Sequence, residues 1–219
     1  MTDAACVRDL GRRPYREVLA LMRELHARVA AGDAPATWLV VEHEPVVTLG
    51  RNAGRASLRL SEAALAARGV DVVTIERGGD ATYHGPGMLV VYPIVRLTRF
   101  REVVPFVTAL EDATLAALAT LGLAGMTRSD HRGVYVADRA IAAIGLAVRQ
   151  MTTLHGLALD VDSGRTYDRL IAPCGLAHAI TSVSHELGRG VPLGEARDAL
   201  LGAIATRFAL RFVAETCAA

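Results

Sequence analysis

Residues 77–94 read RGGDATYHGPGMLVVYPI, from Arg77 to Ile94, and the rest of the chain is laid out around this stretch. Four glycines and Pro86 fall in its first half, where small or absent side chains let backbone approach a ligand or another strand closely. Its second half, Met88 to Ile94, is an almost unbroken run of strand-forming apolar residues, the pattern of a strand buried on both faces. A glycine-rich loop carrying Tyr83 and His84 and anchored on such a strand suits a binding or catalytic site. The same residues also suit a tight corner with a hydrogen-bonded histidine, and loop chemistry alone does not separate the two.

On the N-terminal side, a strand is expected near Val7–Leu10. Pro14 then opens an amphipathic helix whose apolar positions Tyr15, Val18, Leu19, Met22, Leu25 and Val29 recur at helical spacing up to Gly32. Strands follow at 37–42 and 46–49, then a polar loop at 50–60, a short helix opened by Ser61 and Glu62, and a strand at 70–75 that delivers the chain to Arg77. On the C-terminal side, the spacing predicts a long helix over 100–121 ended by Gly122. Three strands follow at 133–136, 140–148 and 152–159, an antiparallel meander whose first turn is expected at Asp138–Arg139. Residues 160–179 read as irregular, Thr181 or Ser182 as the cap of a short helix, and Pro192 as the start of a last helix reaching about Leu210. No internal repeat or linker interrupts this order. The expectation is one α+β domain over residues 1–219, with a mixed or antiparallel central sheet covered by helices.

Composition narrows the function classes. The 219 residues are 52% hydrophobic and 21% charged with a net charge of +1, and the basic residues are scattered, so no nucleic-acid partner is expected. No apolar run of membrane-spanning length and no N-terminal apolar leader is read, giving the expectation of a soluble cytoplasmic protein without a membrane partner. Cys6, Cys174 and Cys217 have neither disulfide-framework nor metal-ligand spacing, and neither a metal nor a cofactor is expected. All 24 residues of the Lys+Arg count are arginine, which removes lysine from every mechanism.

Cys174 stands between Pro173 and Gly175, in a loop context rather than a core run. To attack an ester or thioester it must be partly thiolate, and an unperturbed thiol near pKa 8.5 is only a few per cent ionised at pH 7. A neighbouring cation or base would raise that fraction; His84, His155, His178 and Arg139 are the candidates.

The stretch at 77–94 resembles the RGGxxTYHGPGQ-V-YP signature of the lipoyl(octanoyl) transferases. Further phrases match in family order: LGR at 49–51, RGVYV at 132–136, IAAIG at 141–145, LHGLAL at 154–159, PCGL at 173–176 and TSVSHELGR at 181–189. The resemblance implies a mixed α/β domain similar to the biotin and lipoate protein ligases, with a sheet lining an acyl tunnel. It also implies transfer of an octanoyl group from octanoyl-acyl carrier protein to a cysteine as a thioester, and then to a lysine of a lipoyl domain. The acceptors would be the lipoyl domains of 2-oxoacid dehydrogenases and the glycine cleavage H protein. By the same resemblance Cys174 carries the acyl group. Arg77, Gly78, Gly79, Asp80, Ala81, Thr82, Tyr83 and His84 form the main pocket loop, with Ala143, Ile144, Gly145, Gly156, Leu157 and Ala158 as the remaining wall.

Two positions depart from the pattern. The family lysine that precedes the IAAIG phrase and pairs with the cysteine is Ala140 here, and Met88 stands where glutamine is usual. Arg139 adjoins Ala140, but one residue along a strand points to the opposite face, and a guanidinium cannot act as a general base. His84 and His155 are then the best remaining bases. A rival reading is a catalytically silent relative that binds an acyl chain or a carrier protein. An ATP-dependent ligase fits less well, since such enzymes also use a lysine and need no catalytic cysteine.

Overall fold

The computed structural model describes residues 3–129, 131–164, 166–171 and 179–214. Ten strands and five α-helices follow in the order β1 (Asp3–Arg13), α1 (Tyr15–Ala31), β2 (Thr37–His43), β3 (Val46–Leu49), α2 (Glu62–Ala66), β4 (Asp71–Thr74), β5 (Ala81–His84), β6 (Met88–Ile94), α3 (Val103–Leu121), β7 (Gly133–Val136), β8 (Arg139–Arg149), β9 (Thr152–Asp160), α4 (Val183–Leu187), α5 (Leu193–Arg207) and β10 (Leu210–Ala214). Seven strands form one mixed sheet in the order β10-β1-β2-β6-β9-β8-β7, and β4-β3-β5 form a second, smaller one. The β7-β8-β9 meander is antiparallel as expected, and β2 and β6 are central.

Centrality explains the continuous apolar runs. In β6, Met88, Val90, Tyr92 and Ile94 enter the core shared with α1 and the small sheet, while Leu89 and Val91 enter the core under α3 and α5. β2 divides the same way, with Leu39 and Val41 on the first side and Trp38 and Val40 on the second. A strand with both faces covered has no polar alternation to display. Each such side chain contributes about 1.5–3 kcal/mol relative to exposure. α1 buries the predicted stripe and ends at Gly32, whose N–H reaches the carbonyls of Arg28 and Val29 from a left-handed φ of 88°.

Several boundaries differ from the sequence reading. Ala81–His84 is a strand, paired antiparallel with β3, rather than loop; it is only four residues long and begins amid glycines, so it carries little pattern of its own. The last helix stops at Arg207, and Leu210–Ala214 returns as β10 to pair in parallel with β1. The β7–β8 turn falls at Ala137–Asp138, with Ala137 at φ 50°, so Arg139 is already strand. Ser182, not Thr181, caps α4 by accepting the His185 N–H. Within the stretch read as irregular, 166–169 form a 3-10 turn.

The segment Phe100–Leu121, α3 with its leading turn, is long and apolar enough by length and composition to cross a membrane, contrary to the sequence expectation. In this fold Phe106, Leu110, Ala113, Ala117 and Leu118 are buried in the core beneath it. A helix covering a sheet on one side and packing α5 on another needs few charges, which accounts for its composition.

Candidate active site

A cavity of about 630 Å³ opens among the glycine-rich loop, β8 and β9, with Tyr15 of α1 and Met88, Val90 and Tyr92 of β6 completing its walls. All of Arg77–His84, Ala143–Gly145 and Gly156–Ala158 line it, as do Ala140 and His155. The lining alternates backbone-bare glycines with alkyl and aromatic side chains, a shape suited to an extended apolar ligand.

Arg77 holds the loop in place. Its buried guanidinium donates to the Thr48 carbonyl at 2.9 Å, to the Thr48 hydroxyl at 2.9 Å, to the Thr82 hydroxyl at 2.8 Å and to the Gly78 carbonyl at 3.0 Å. The Gly78 N–H donates to the Leu146 carbonyl at 3.0 Å, fastening the loop to β8 beyond the reach of β7. This contact requires Gly145, because a Cβ there would stand 2.9 Å from the Gly78 oxygen and 3.2 Å from Arg77 Cδ. Asp80 accepts from the Ala81 N–H at 2.7 Å and from the Ser57 hydroxyl, so its carboxylate orders the loop.

One end of the cavity is crowded with buried polar rings. His43 Nδ1 faces the Arg13 carbonyl at 3.2 Å and so carries the proton, leaving Nε2 to accept from the Tyr92 hydroxyl at 2.8 Å. Tyr15 lies 5.1 Å from the His43 ring and stacks at 6.2 Å on His84, which is 5.8 Å from His43. Burial lowers the His43 pKa to about 4, with the Arg13 carbonyl opposing. Burial also drives His84 well below its ordinary value, helped by His43, Arg77 and His155. Burial raises the Tyr15 and Tyr92 hydroxyls above theirs. These rings are neutral near pH 7. Among the described residues, Tyr15 Oη and His84 Nδ1 have no hydrogen-bond partner.

His155 joins this end by an unusual route. Its φ is 62°, inside a strand, a conformation costing about 1–2 kcal/mol for a residue with a Cβ. Leu157 pairs with Val91 and the Thr153 N–H donates to the Val95 carbonyl, so His155 stands opposite Pro93, which has no N–H to offer the ladder. Gly156 follows because a Cβ there would lie 2.1 Å from the Val91 oxygen and 2.7 Å from Pro93 Cδ. His155 Nε2 is 3.7 Å from Glu76, inside ion-pair range but too long for a hydrogen bond. Burial, with Arg77 and Arg23 adding to it, lowers the His155 pKa to about 4 despite Glu76.

The other end is built differently. Ala140 pairs with Tyr135 and bridges Ile180, its N–H donating to the Ala179 carbonyl at 2.9 Å. A bulge at Ile141 interrupts the β7–β8 register, yet Arg139 does not turn inward. Its guanidinium is held by both Glu186 oxygens at 2.8 Å, and the same carboxylate accepts from the Thr181 hydroxyl. The structure does not bring His155 and Ala140 together: His155 pairs with Leu146, six positions along β8, or roughly 20 Å at the rise of a strand. His84 belongs with His155 through the Tyr15–His43 group. Cys174 and His178 lie outside the described residues. Ile171 and Ile180, on either side of that stretch in sequence, both wall the cavity. Among the described residues, no group of three His, Cys, Asp or Glu side chains could hold a metal ion.

Sequence reading missed Tyr15, His43 and Tyr92 as members of the site. Tyr15 counts as one more apolar position of α1, and Tyr92 as one more strand residue. Only His43, a polar residue ending a buried run, offered a hint.

Residues 14–205 match the family described as "Lipoyl protein ligase A/B catalytic domain". A probable octanoyltransferase of Pyrobaculum arsenaticum is 42% identical over 158 residues, covering 72% of this chain and 70% of that protein. An octanoyltransferase of Syntrophotalea carbinolica is 42% identical over 156 residues, covering 71% of each. Among solved structures, a lipoate-protein ligase A bound with ATP superposes with a TM-score of 0.76 at 14% identity, covering 99% of this chain and 90% of that one. A bi-partite lipoate protein ligase of Thermoplasma acidophilum, studied with its E2 lipoyl domain, gives a TM-score of 0.77 at 15% identity, covering 99% and 88%. The structural likenesses establish the fold: a mixed sheet with helices packed against it.

Proposed function

The chain belongs to the lipoyl protein ligase A/B catalytic domain family, and on that premise we propose that it transfers an octanoyl group from octanoyl-acyl carrier protein to the lysine of lipoyl domains through a thioester on Cys174. The related octanoyltransferases support acyl transfer in general. The lipoyl domain studied with the Thermoplasma ligase supports such a domain as acceptor, and the proposal extends to the glycine cleavage H protein.

The observation that carries the reading is the cavity: an apolar space of about 630 Å³ whose wall includes both Ile171 and Ile180. Cys174 is three residues from Ile171, which covalent geometry limits to about 11 Å. In the first step the Cys174 thiolate attacks the donor's thioester carbon, expelling the carrier's thiolate. In the second, the acceptor lysine's neutral amine attacks the Cys174 thioester carbon, the C–S bond breaks, and the proton lost by nitrogen as the amide forms passes to the departing sulfur. Arg77 and the glycines at 78–79 and 145 hold the walls against the alkyl chain, and the Tyr15–His84–His155 group forms the tunnel's far end.

Ala140 stands where the family lysine is expected and its side chain can take no proton, and this favours a second reading, in which the chain binds an acyl group or carrier protein without transferring it. Intact mass after incubation with octanoyl-acyl carrier protein decides between them. A gain of one octanoyl group, absent in Cys174→Ser, is the expected result. No gain in the natural chain, together with none in Ala140→Lys, would establish the binding reading instead.

A further inference from the structure

Asp160 is the one acidic side chain of β9, and it is buried. Leu157, Leu159 and Val161 enter the core under α3 and α5, while Ala158 belongs to the other core and walls the cavity. The period of a strand therefore puts Asp160 on the cavity side with Ala158. Its partner on β6 is Met88, another wall residue, and Leu159 pairs with Ala142, which sets Asp160 one residue further towards Ala140.

The carboxylate is held firmly. Oδ1 accepts from the Ser163 N–H at 3.0 Å, and Oδ2 accepts from the Ser163 hydroxyl at 2.7 Å and from the Tyr167 hydroxyl at 2.9 Å. Burial raises its pKa, the Ser163 and Tyr167 bonds oppose the rise, and the neighbouring Asp162 charge adds to it.

Tyr167 connects this carboxylate to the cavity, which it walls. Its ring stacks on Tyr83 with centroids 5.0 Å apart, and its carbonyl accepts from the Ile171 N–H at 3.2 Å, so it shares the turn that brings Ile171 to the same wall. The one hydroxyl hydrogen is committed to Asp160, and towards any other group the oxygen can only accept. Of the two substrates in the transfer reading, the donor thioester brings no N–H to its reacting carbon, whereas the acceptor lysine brings an amine. An acceptor oxygen backed by a carboxylate suits the amine.

We propose that the Tyr167 hydroxyl, oriented by Asp160, receives the acceptor lysine's amine and carries its proton during the second transfer step. This rests on the transfer reading above. As nitrogen bonds to the thioester carbon, an N–H proton moves to Tyr167 Oη while Tyr167 passes its own to Asp160 Oδ2. The C–S bond breaks with its electron pair going to sulfur, and the proton returns along the same route to the Cys174 sulfur. An amide and a thiol result, with Tyr167 and Asp160 as they began. Tyr167 is the group that meets the substrate, and Asp160 is its positioning residue.

The test separates the two steps. The protein is loaded with octanoyl-acyl carrier protein, freed of donor and mixed with a lipoyl domain, and both stages are followed by intact mass. In Tyr167→Phe and in Asp160→Asn the loading rate should stay within about twofold, which also reports an intact cavity. Transfer from the loaded protein should slow about tenfold or more at saturating lipoyl domain, with the half-saturating concentration unchanged. The natural chain's second step should be slower in deuterium oxide, and this sensitivity should shrink in Tyr167→Phe. If Asp160 only closes the turn to Ser163, asparagine serves as well, and an unaltered second step in Asp160→Asn would overturn the proposal. Equal losses in both steps would overturn it too. If the natural chain loads too slowly to follow, the same substitutions are read in an Ala140→Lys background. Failure of that background to load would overturn the transfer reading and this inference with it, whereas normal loading followed by an unaltered second step overturns this inference alone.

Discussion

The Tyr15–His155 end of the cavity and the Ala140–Ile180 end belong to one space but to opposite kinds of construction. At the first, three histidines and two tyrosines are packed out of water, with His43 and His155 held at about 4 and the tyrosine hydroxyls raised. At the second, the described walls are Ala140, Ile171 and Ile180 with Tyr135 and Tyr167 beside them. The polar end is rich in groups that stay neutral near pH 7, while at the other end Tyr167 donates at 2.9 Å to the buried Asp160 carboxylate, whose pKa burial raises. Burial thus builds one end, and at the other the acid/base part that the family resemblance assigns to position 140 is an alanine.

The largest expected effect comes from restoring that part. Ala140→Lys should raise single-turnover octanoyl transfer by about 10²- to 10⁴-fold at pH 7, the usual worth of a positioned acid/base group. Its pH profile separates this from a packing effect. The lysine variant should reach the plateau of its pH profile at lower pH than the natural chain, because an adjacent ammonium favours the thiolate. An unchanged rate and profile would mean that the proton is handled elsewhere and that the two ends differ less than their walls indicate.

The polar end should make its mark on stability instead. His43 titrates near 6.5 when unfolded and at about 4 when folded. Between these values the unfolded chain takes up a proton that the folded chain refuses, so stability present above pH 6.5 is lost as pH falls towards 4 and declines no further from this group below it. The loss is about 3 kcal/mol. Urea unfolding followed from pH 7 to pH 4 should show it. In His43→Gln, which can still donate to Arg13 and accept from Tyr92, that part of the slope should disappear; a slope unchanged in the variant would place the titration on other groups.

Much of this architecture was legible because burial writes itself into composition. The runs at 37–41 and 88–94 are central strands, the stripe of α1 is its packed face, and the glycine-rich stretch is the cavity wall. What stayed hidden depends on partners far away in sequence. Leu210–Ala214 reads as a helix end until β1 is there to pair with it, and Ala81–His84 reads as loop until β3 is. Arg77 reads as a loop cation, and only Thr48 and Thr82 make it a buried hub. The His43–Tyr92 bond joins residues 49 positions apart. Likewise the distance between His155 and Ala140 follows from strand register, which the motif phrases do not carry.

Arg139 gives the smallest expected effect and the sharpest check on the Ala140 end. It is the only cation in the turn and strand start beside Ala140, and a sequence aligned one residue differently would assign it the missing role. In the fold the strand begins at Arg139 itself, the bulge comes two residues later, and both guanidinium contacts go to Glu186 on the side away from the cavity. The pair is bidentate and Glu186 is largely covered, so removing the guanidinium leaves a part-buried carboxylate short of a partner, at a cost of about 1–3 kcal/mol. Arg139→Met should therefore lower the thermal midpoint by a few degrees yet leave octanoyl transfer by the folded protein within about twofold, since no interaction with the transferred group is removed. A tenfold or greater fall in transfer, measured where the variant is fully folded, would require the side chain to leave Glu186 and enter the cavity during the reaction, bringing a cation beside Ala140.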